Sequence, residues 1–478
     1  MNEEKKSIDE KFSKYLPAVE KPTYQQSFNK KLKWTIFALL MYLALSYVTI
    51  WGVQKSSYEQ FRFFEIVLGS KFGSVMTLGI GPIVTGGIVL QLLVGAKIVN
   101  WDTTKPEGRK KFQAWSKFLA LIFCLIEAVA FVIAGALPVA DDMTTKIFVA
   151  LQLTAGGIIA LLLDELVSKW GFGSGVSLFI AAGVANQILI GIFSPLSVTC
   201  VPSDIAKCIP TADSPPSGKI WEFFIKFFSG SFIDAIGYAL PIVSTLVIFL
   251  LVVYIQDIGI DIPISFSAMR GFGRTWTLKL LYTSNIPVIL AAALIANLQL
   301  FGRIGVQPVT SEMSCGWLAC YDKNNQIVGG LVYYLTSPKD ILTNIVQGTL
   351  TSIELTRAFT YLLFFSMLAM VFSIFWVSTS GMDAASVAEQ LESIGMQIPG
   401  YRSDKKSMEV VLNRYIPYLA VIGGIAIGVF AATADFIGVI GSGTGILLTV
   451  MILYNYYEQL SAENLEGAHP FVKKILGE

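Results

Sequence analysis

Charge is what this chain has least of. Asp, Glu, Lys and Arg make up 14% of its 478 residues, against 54% hydrophobic ones. A water-soluble domain of this length carries nearer a quarter charged residues to coat its surface, so that class is excluded. Histidine is almost missing. His469 is the only one, which leaves no His-based metal centre and no imidazole to pair with a cysteine in a catalytic dyad. No glycine-rich nucleotide loop and no HExxH segment occurs, so no cofactor, no metal and no enzymatic activity are expected. The net charge of +1 is silent about partners.

What charge there is collects between long apolar runs. Trp34 to Trp51 holds 18 residues without a charge, enough to cross about 30 Å of hydrocarbon at about 1.5 Å per residue. Further runs are Pro82 to Ala96, Phe118 to Ala140, Ile147 to Leu163, Gly171 to Phe193 and Ala235 to Gln256. Leu280 to Phe301, Ala358 to Gly381, Tyr415 to Ala434 and Gly441 to Tyr457 complete a set of ten. Only helices fit, because in lipid each backbone polar group must be satisfied within its own segment. The expectation is an all-α polytopic membrane protein of about ten transmembrane helices.

Lys and Arg set the orientation. About 24 of the 35 basic residues fall in the N-terminal arm, in alternate loops and in the C-terminal tail, which puts both termini on the cytoplasmic side. The arm before Trp34 is too long and acidic for a signal-peptide n-region, so the first helix is expected to stay in the mature protein. Cys124 lies inside the third run. Cys200, Cys208, Cys315 and Cys320 lie in the two long external loops, where Cys200–Cys208 and Cys315–Cys320 are the simplest disulfide pairing. Unpaired thiols are the other reading.

Two segments are interrupted in matching places. Tyr58 to Gly73 mixes Glu59, Arg62, Glu65 and Lys71 with aromatics and aliphatics, and Gly79-Ile80-Gly81-Pro82 then breaks the chain before an apolar helix resumes. Ser284-Asn285-Ile286-Pro287 does the same ahead of the seventh run. Matching breaks point to an inverted repeat with its working site between the halves, which by itself leads first to a secondary transporter. Against that, Glu127 is the only clear ionisable residue inside a span, whereas transporters of charged solutes keep such groups near the midplane. The side chains around the breaks are aliphatic, fit either for ordinary core or for a hydrophobic constriction that blocks ions by dewetting. A structural membrane scaffold is the third reading.

Ser74 to Leu93, Asp164-Glu165-Leu166 with Gly171 to Gly175, and Ser284 to Ala293 resemble the signature segments of the SecY family, the protein-conducting translocon subunit. Gly400-Tyr401-Arg402 ahead of Tyr415-Ile416-Pro417, and Gly443 to Thr449, add to the match. The resemblance runs from about Leu32 to Leu460 and is closer to archaeal and eukaryotic members than to bacterial ones.

The resemblance implies two inverted, pseudo-symmetric five-helix halves around a central hourglass pore. On this division 1–33 is a cytoplasmic arm, 34–193 the first half, 194–234 the hinge and external loop, 235–460 the second half and 461–478 a cytoplasmic tail. It implies a pore ring of Ile80, Val84, Val176, Ile180, Ile289 and Leu448. A plug would span about 61–73, with Phe61, Phe63, Phe64, Ile66, Val67 and Leu68. Thr85, Glu127 and Asn285 would form the polar cluster of a lateral gate, although burial of a lone neutral carboxyl also accounts for Glu127. Arg270, Arg274 and Arg402 would dock a ribosome, although a positive-inside signal accounts equally for the first two. Implied partners are small single-span SecE/gamma-type and beta-type subunits, the ribosome, signal-sequence-bearing polypeptides and membrane lipid. The membrane would be the cell membrane in an archaeon or the endoplasmic reticulum in a eukaryote.

Overall fold

The computed structural model describes residues 17–24, 26–53, 71–96, 98–99, 101, 106–134, 137, 139, 142–197, 209–210, 215–266, 273–283, 285–303, 306–308, 313–322, 326–338, 341–393, 395–397 and 405–467. The first half is built from α1 (Phe28–Ser46), α2 (Gly81–Gly95), α3 (Pro106–Ile133), α4 (Met143–Trp170) and α5 (Gly175–Phe193). A short helix, α6 (Lys219–Phe228), leads into α7 (Phe232–Gln256), the hairpin β1 (Gly259–Phe266) and β2 (Gly273–Lys279), and α8 (Ile286–Phe301). Next come β3 (Gln307–Pro308), β4 (Met313–Cys315), β5 (Cys320–Asp322), β6 (Ile327–Gly329), α9 (Leu331–Tyr334) and α10 (Ile341–Gln347). The chain closes with α11 (Ser352–Ser380), α12 (Ala384–Ser393), β7 (Met396–Gln397), α13 (Lys405–Leu412), α14 (Ile416–Phe436) and α15 (Gly443–Gly467).

Each of the ten apolar runs corresponds to one helix. Among the described residues α3, α4, α5, α7, α11 and α14 are long and apolar enough to cross a bilayer, while α2 and α8 are apolar but shorter. At 15 and 16 residues these two cover only about 23 Å each, short of the about 30 Å of a hydrocarbon core, and each starts just after its break. In both, a proline is the second helical residue, Pro82 and Pro287, where its missing N–H leaves no bond unmade.

Three bodies of packing hold the fold. The large core draws buried residues from both halves, Tyr42, Phe179, Ile295, Phe365 and Met451 among them. Tyr42 stacks on Phe179 with ring centres 4.1 Å apart. A second core joins Ile262 and Leu278 of the hairpin to Val387, Leu391, Met408 and Leu412 of α12 and α13. A third, small one lies under the sheet β3-β4-β5-β6, where Ala319, Tyr321 and Val332 are buried.

The strands lie outside the long helices. β1 pairs antiparallel with β2 from Gly259↔Lys279 to Ser265↔Gly273, and β7 adds to its other edge at Ser265↔Gln397 and Phe266↔Met396. Ile260, Ile262 and Ile264 alternate with Asp261 and Pro263 along β1, the period of a strand with one apolar face.

Candidate functional site

The six aliphatic residues expected to form a ring come from four helices of the large core. Ile80 and Val84 belong to the start of α2, Val176 and Ile180 to α5, Ile289 to α8 and Leu448 to α15. Five are buried in the large core and Val176, half-buried, packs against it. Ile80 and Ile180 are each 1% exposed and Leu448 3%, so these side chains are covered and do not line open water.

Their positions repeat between the halves. Val84 and Ile289 each stand two residues past the proline that opens their helix. Ile180 follows Gly173-Ser174-Gly175, and Leu448 follows Gly441-Ser442-Gly443, each five residues past the second glycine. Gly173 and Gly441 both take positive φ, +66° and +91°, a backbone that side chains other than glycine rarely adopt. Next to each link an aspartate turns back onto the new helix. Asp164, near the end of α4, accepts a hydrogen bond from the Val176 N–H at 2.8 Å. Asp435, near the end of α14, accepts from the Thr444 N–H at 2.9 Å and lies 2.5 Å from the Thr444 hydroxyl.

Two of the three polar residues expected at the seam, Thr85 and Glu127, are in contact, and they are joined by one that sequence reasoning missed. The Thr85 hydroxyl on α2 lies 2.7 Å from Glu127 Oε1 on α3 and 2.9 Å from the Gly81 carbonyl. It accepts from the Asn297 amide on α8 at 3.1 Å. Asn285 caps the other end of α8 and is buried there. Twelve residues separate it from Asn297, about 18 Å along the axis, so the residue of α8 that closes on Thr85 is Asn297. One signal for it was present: Asn297 and Gln299 are the only polar side chains along the apolar helix α8.

The plug residues Phe61, Phe63, Phe64, Ile66, Val67 and Leu68 lie outside the described residues, as do Arg270, Arg402, Cys200 and Cys208. Arg274 is described only in its backbone, opposite Ile264 in the hairpin. Cys315 and Cys320 are joined by a disulfide across neighbouring strands, and Cys124 is a buried free thiol.

The fold defines a polytopic helical membrane protein whose large core draws on both halves. The SecY family model matches residues 74–457, and the chain belongs to the SecY family. It is 40% identical to the protein translocase subunit SecY of Methanothermobacter thermautotrophicus over the whole of both chains. A solved protein-conducting channel superposes with a TM-score of 0.79 at 37% identity, covering 97% of this chain and 98% of that one. Sec61 in a canine ribosome–channel complex from the endoplasmic reticulum gives 0.76 at 37% identity with the same coverage.

Proposed function

We propose that this chain is the pore-forming subunit of a Sec translocation channel, passing secretory polypeptides across a membrane and releasing apolar segments sideways between α2 and α8. The observation that carries the reading is that Ile80, Val84, Ile180, Ile289 and Leu448 are buried in one core drawn from both halves, with Val176 packed against it, and that Val84 pairs in position with Ile289 and Ile180 with Leu448. Branched aliphatic groups close against a passing chain without a fixed charge to hold it, and when idle they exclude water and ions. The Thr85–Asn297 bond supports the seam, since interhelical hydrogen bonds of about 0.6–2 kcal/mol hold yet yield.

Both termini are assigned to the cytoplasm, in the cell membrane of an archaeon, by the distribution of Lys and Arg and by the archaeal relative. Arg270, Arg274 and Arg402 are assigned to ribosome docking. Support comes from the resemblance and from guanidinium suiting phosphate; Arg274 stands in the hairpin opposite Ile264. The plug is assigned to about 61–73. Its far end is anchored where Phe72 is buried against Phe131, ring centres 5.6 Å apart, and where the Ile50 N–H bonds the Gly73 carbonyl at 3.0 Å. Two small single-span subunits, one across the hinge, complete the complex.

The test is crosslinking of a stalled secretory chain to single cysteines at Ile80, Val176, Ile289 and Leu448. Adducts at all four place the polypeptide inside the ring. Normal translocation with none at any position sinks the ring assignment and reopens the secondary-transporter reading.

A further inference from the structure

The two aspartate links are built alike at opposite ends of the molecule, and each stands one turn from a ring residue. In each, glycine is required at the first position of the new helix. A Cβ on Gly175 would stand 2.6 Å from Asp164 Cα, and one on Gly443 would stand 2.0 Å from the Ala434 carbonyl carbon. The glycine lets the helix start pack onto the preceding helix end, and the aspartate then takes the free N–H of the second residue. That is an N-cap supplied from a different helix. It fixes where α5 and α15 begin, and therefore at what depth Ile180 and Leu448 arrive, five residues or about 7.5 Å further on.

Each link is also tied to the third long helix of its half. In the second half the Tyr361 hydroxyl of α11 donates to Asp435 Oδ2 at 2.9 Å. In the first, the neighbouring Glu165 pairs with Lys117 of α3 at 2.5 Å.

We propose that Asp164 and Asp435 are equivalent positioning residues of the closed pore. Each clasps the start of a ring helix to the end of the helix before it, and Tyr361 ties the second clasp to α11. This rests on the ring reading, so its test carries ring controls.

The assay is ion conductance of the idle, fully assembled complex in planar bilayers. Asp164→Ala and Asp435→Ala are expected to raise the open fraction about tenfold, the scale of one lost hydrogen bond to a carboxylate. Asp164→Asn and Asp435→Asn, which keep an acceptor oxygen, should stay near the parent. Should the alanine variants fail to assemble, Tyr361→Phe and Thr444→Val decide, each removing one hydroxyl from the second clasp and expected to leak by a smaller factor.

Leu448→Ser and Ile289→Ser are run beside them. Leak from these ring variants but none from the clasp variants overturns the positioning role alone. No leak from either set overturns the ring reading with it. Leak from Asn equal to that from Ala also sinks the proposal, because the acceptor oxygen would then not be what matters.

Discussion

The Asn297 amide on α8 donates to the Thr85 hydroxyl on α2 across 3.1 Å, joining a helix of the second half to one of the first. Glu127 on α3 stands behind the same hydroxyl at 2.7 Å. Among the described residues this side-chain hydrogen bond ties α2 to α8, and an interhelical bond of about 0.6–2 kcal/mol is small enough to break.

Replacing Asn297 by Leu removes that contact without opening a cavity. At about 0.6–2 kcal/mol for an interhelical hydrogen bond, and 1.4 kcal/mol per decade, the open seam should gain about 3- to 30-fold in population. The expected outcome is more efficient export of substrates with weakened signal sequences, measured against a strong-signal control. Equal discrimination in variant and parent would mean that the contact does not set the gate.

Asn285→Leu separates the two asparagines. Asn285 sits about 18 Å from the seam contact along α8, so its effect on signal discrimination should be smaller than that of Asn297→Leu. A larger effect from Asn285 would return the gate to the residue beside the chain break.

Much of this architecture was legible in the residues, for reasons that particular elements show. Ten apolar runs gave ten helices because lipid leaves the backbone no other way to satisfy itself. Their ends were less legible, since capping and not hydropathy sets them. α11 starts at Ser352, well before the apolar run at Ala358, because Thr351 and Glu354 form a reciprocal cap at 3.4 and 3.1 Å. α3 starts at Pro106 and carries Arg109, Lys110 and Lys111 in its opening turns. The hairpin β1–β2 carries only three alternating isoleucines, Ile260, Ile262 and Ile264, too short a pattern to stand out between apolar runs. At the site, the long motifs pointed to residues that are buried in or packed against the large core, whereas Asn297 was passed over. Asn285 stood beside an obvious break, and one amide in an apolar helix carries no pattern of its own.

Glu127→Gln keeps a side chain able to reach Thr85 and removes the possibility of a carboxylate. A channel whose gate needs only a hydrogen bond should export protein within about twofold of the parent, well below the 1.4 kcal/mol that a tenfold change requires. A proton-coupled transporter would lose its function outright. Export by proteoliposomes with and without a proton gradient distinguishes the two, and abolition by this one substitution would favour the transporter.

The disulfide Cys315–Cys320 closes a short loop around Trp317, which is 93% exposed at the tip. Closing a loop this small is worth about 2 kcal/mol on chain-entropy grounds. The sheet it staples is itself held to α8, where the Tyr321 hydroxyl reaches the Gln299 carbonyl at 3.5 Å and Arg303 lies over the Tyr321 ring at 4.9 Å. Paired Cys315→Ser and Cys320→Ser substitution should therefore speed hydrogen exchange in 313–322 and 326–329 while leaving the ring helices α5 and α15 protected. If exchange in α8 near Asn297 rises as well, the sheet is a brace for the seam, and signal discrimination should loosen in the same variant. If α8 is unchanged, the sheet is anchored on the gate helix without bearing on it.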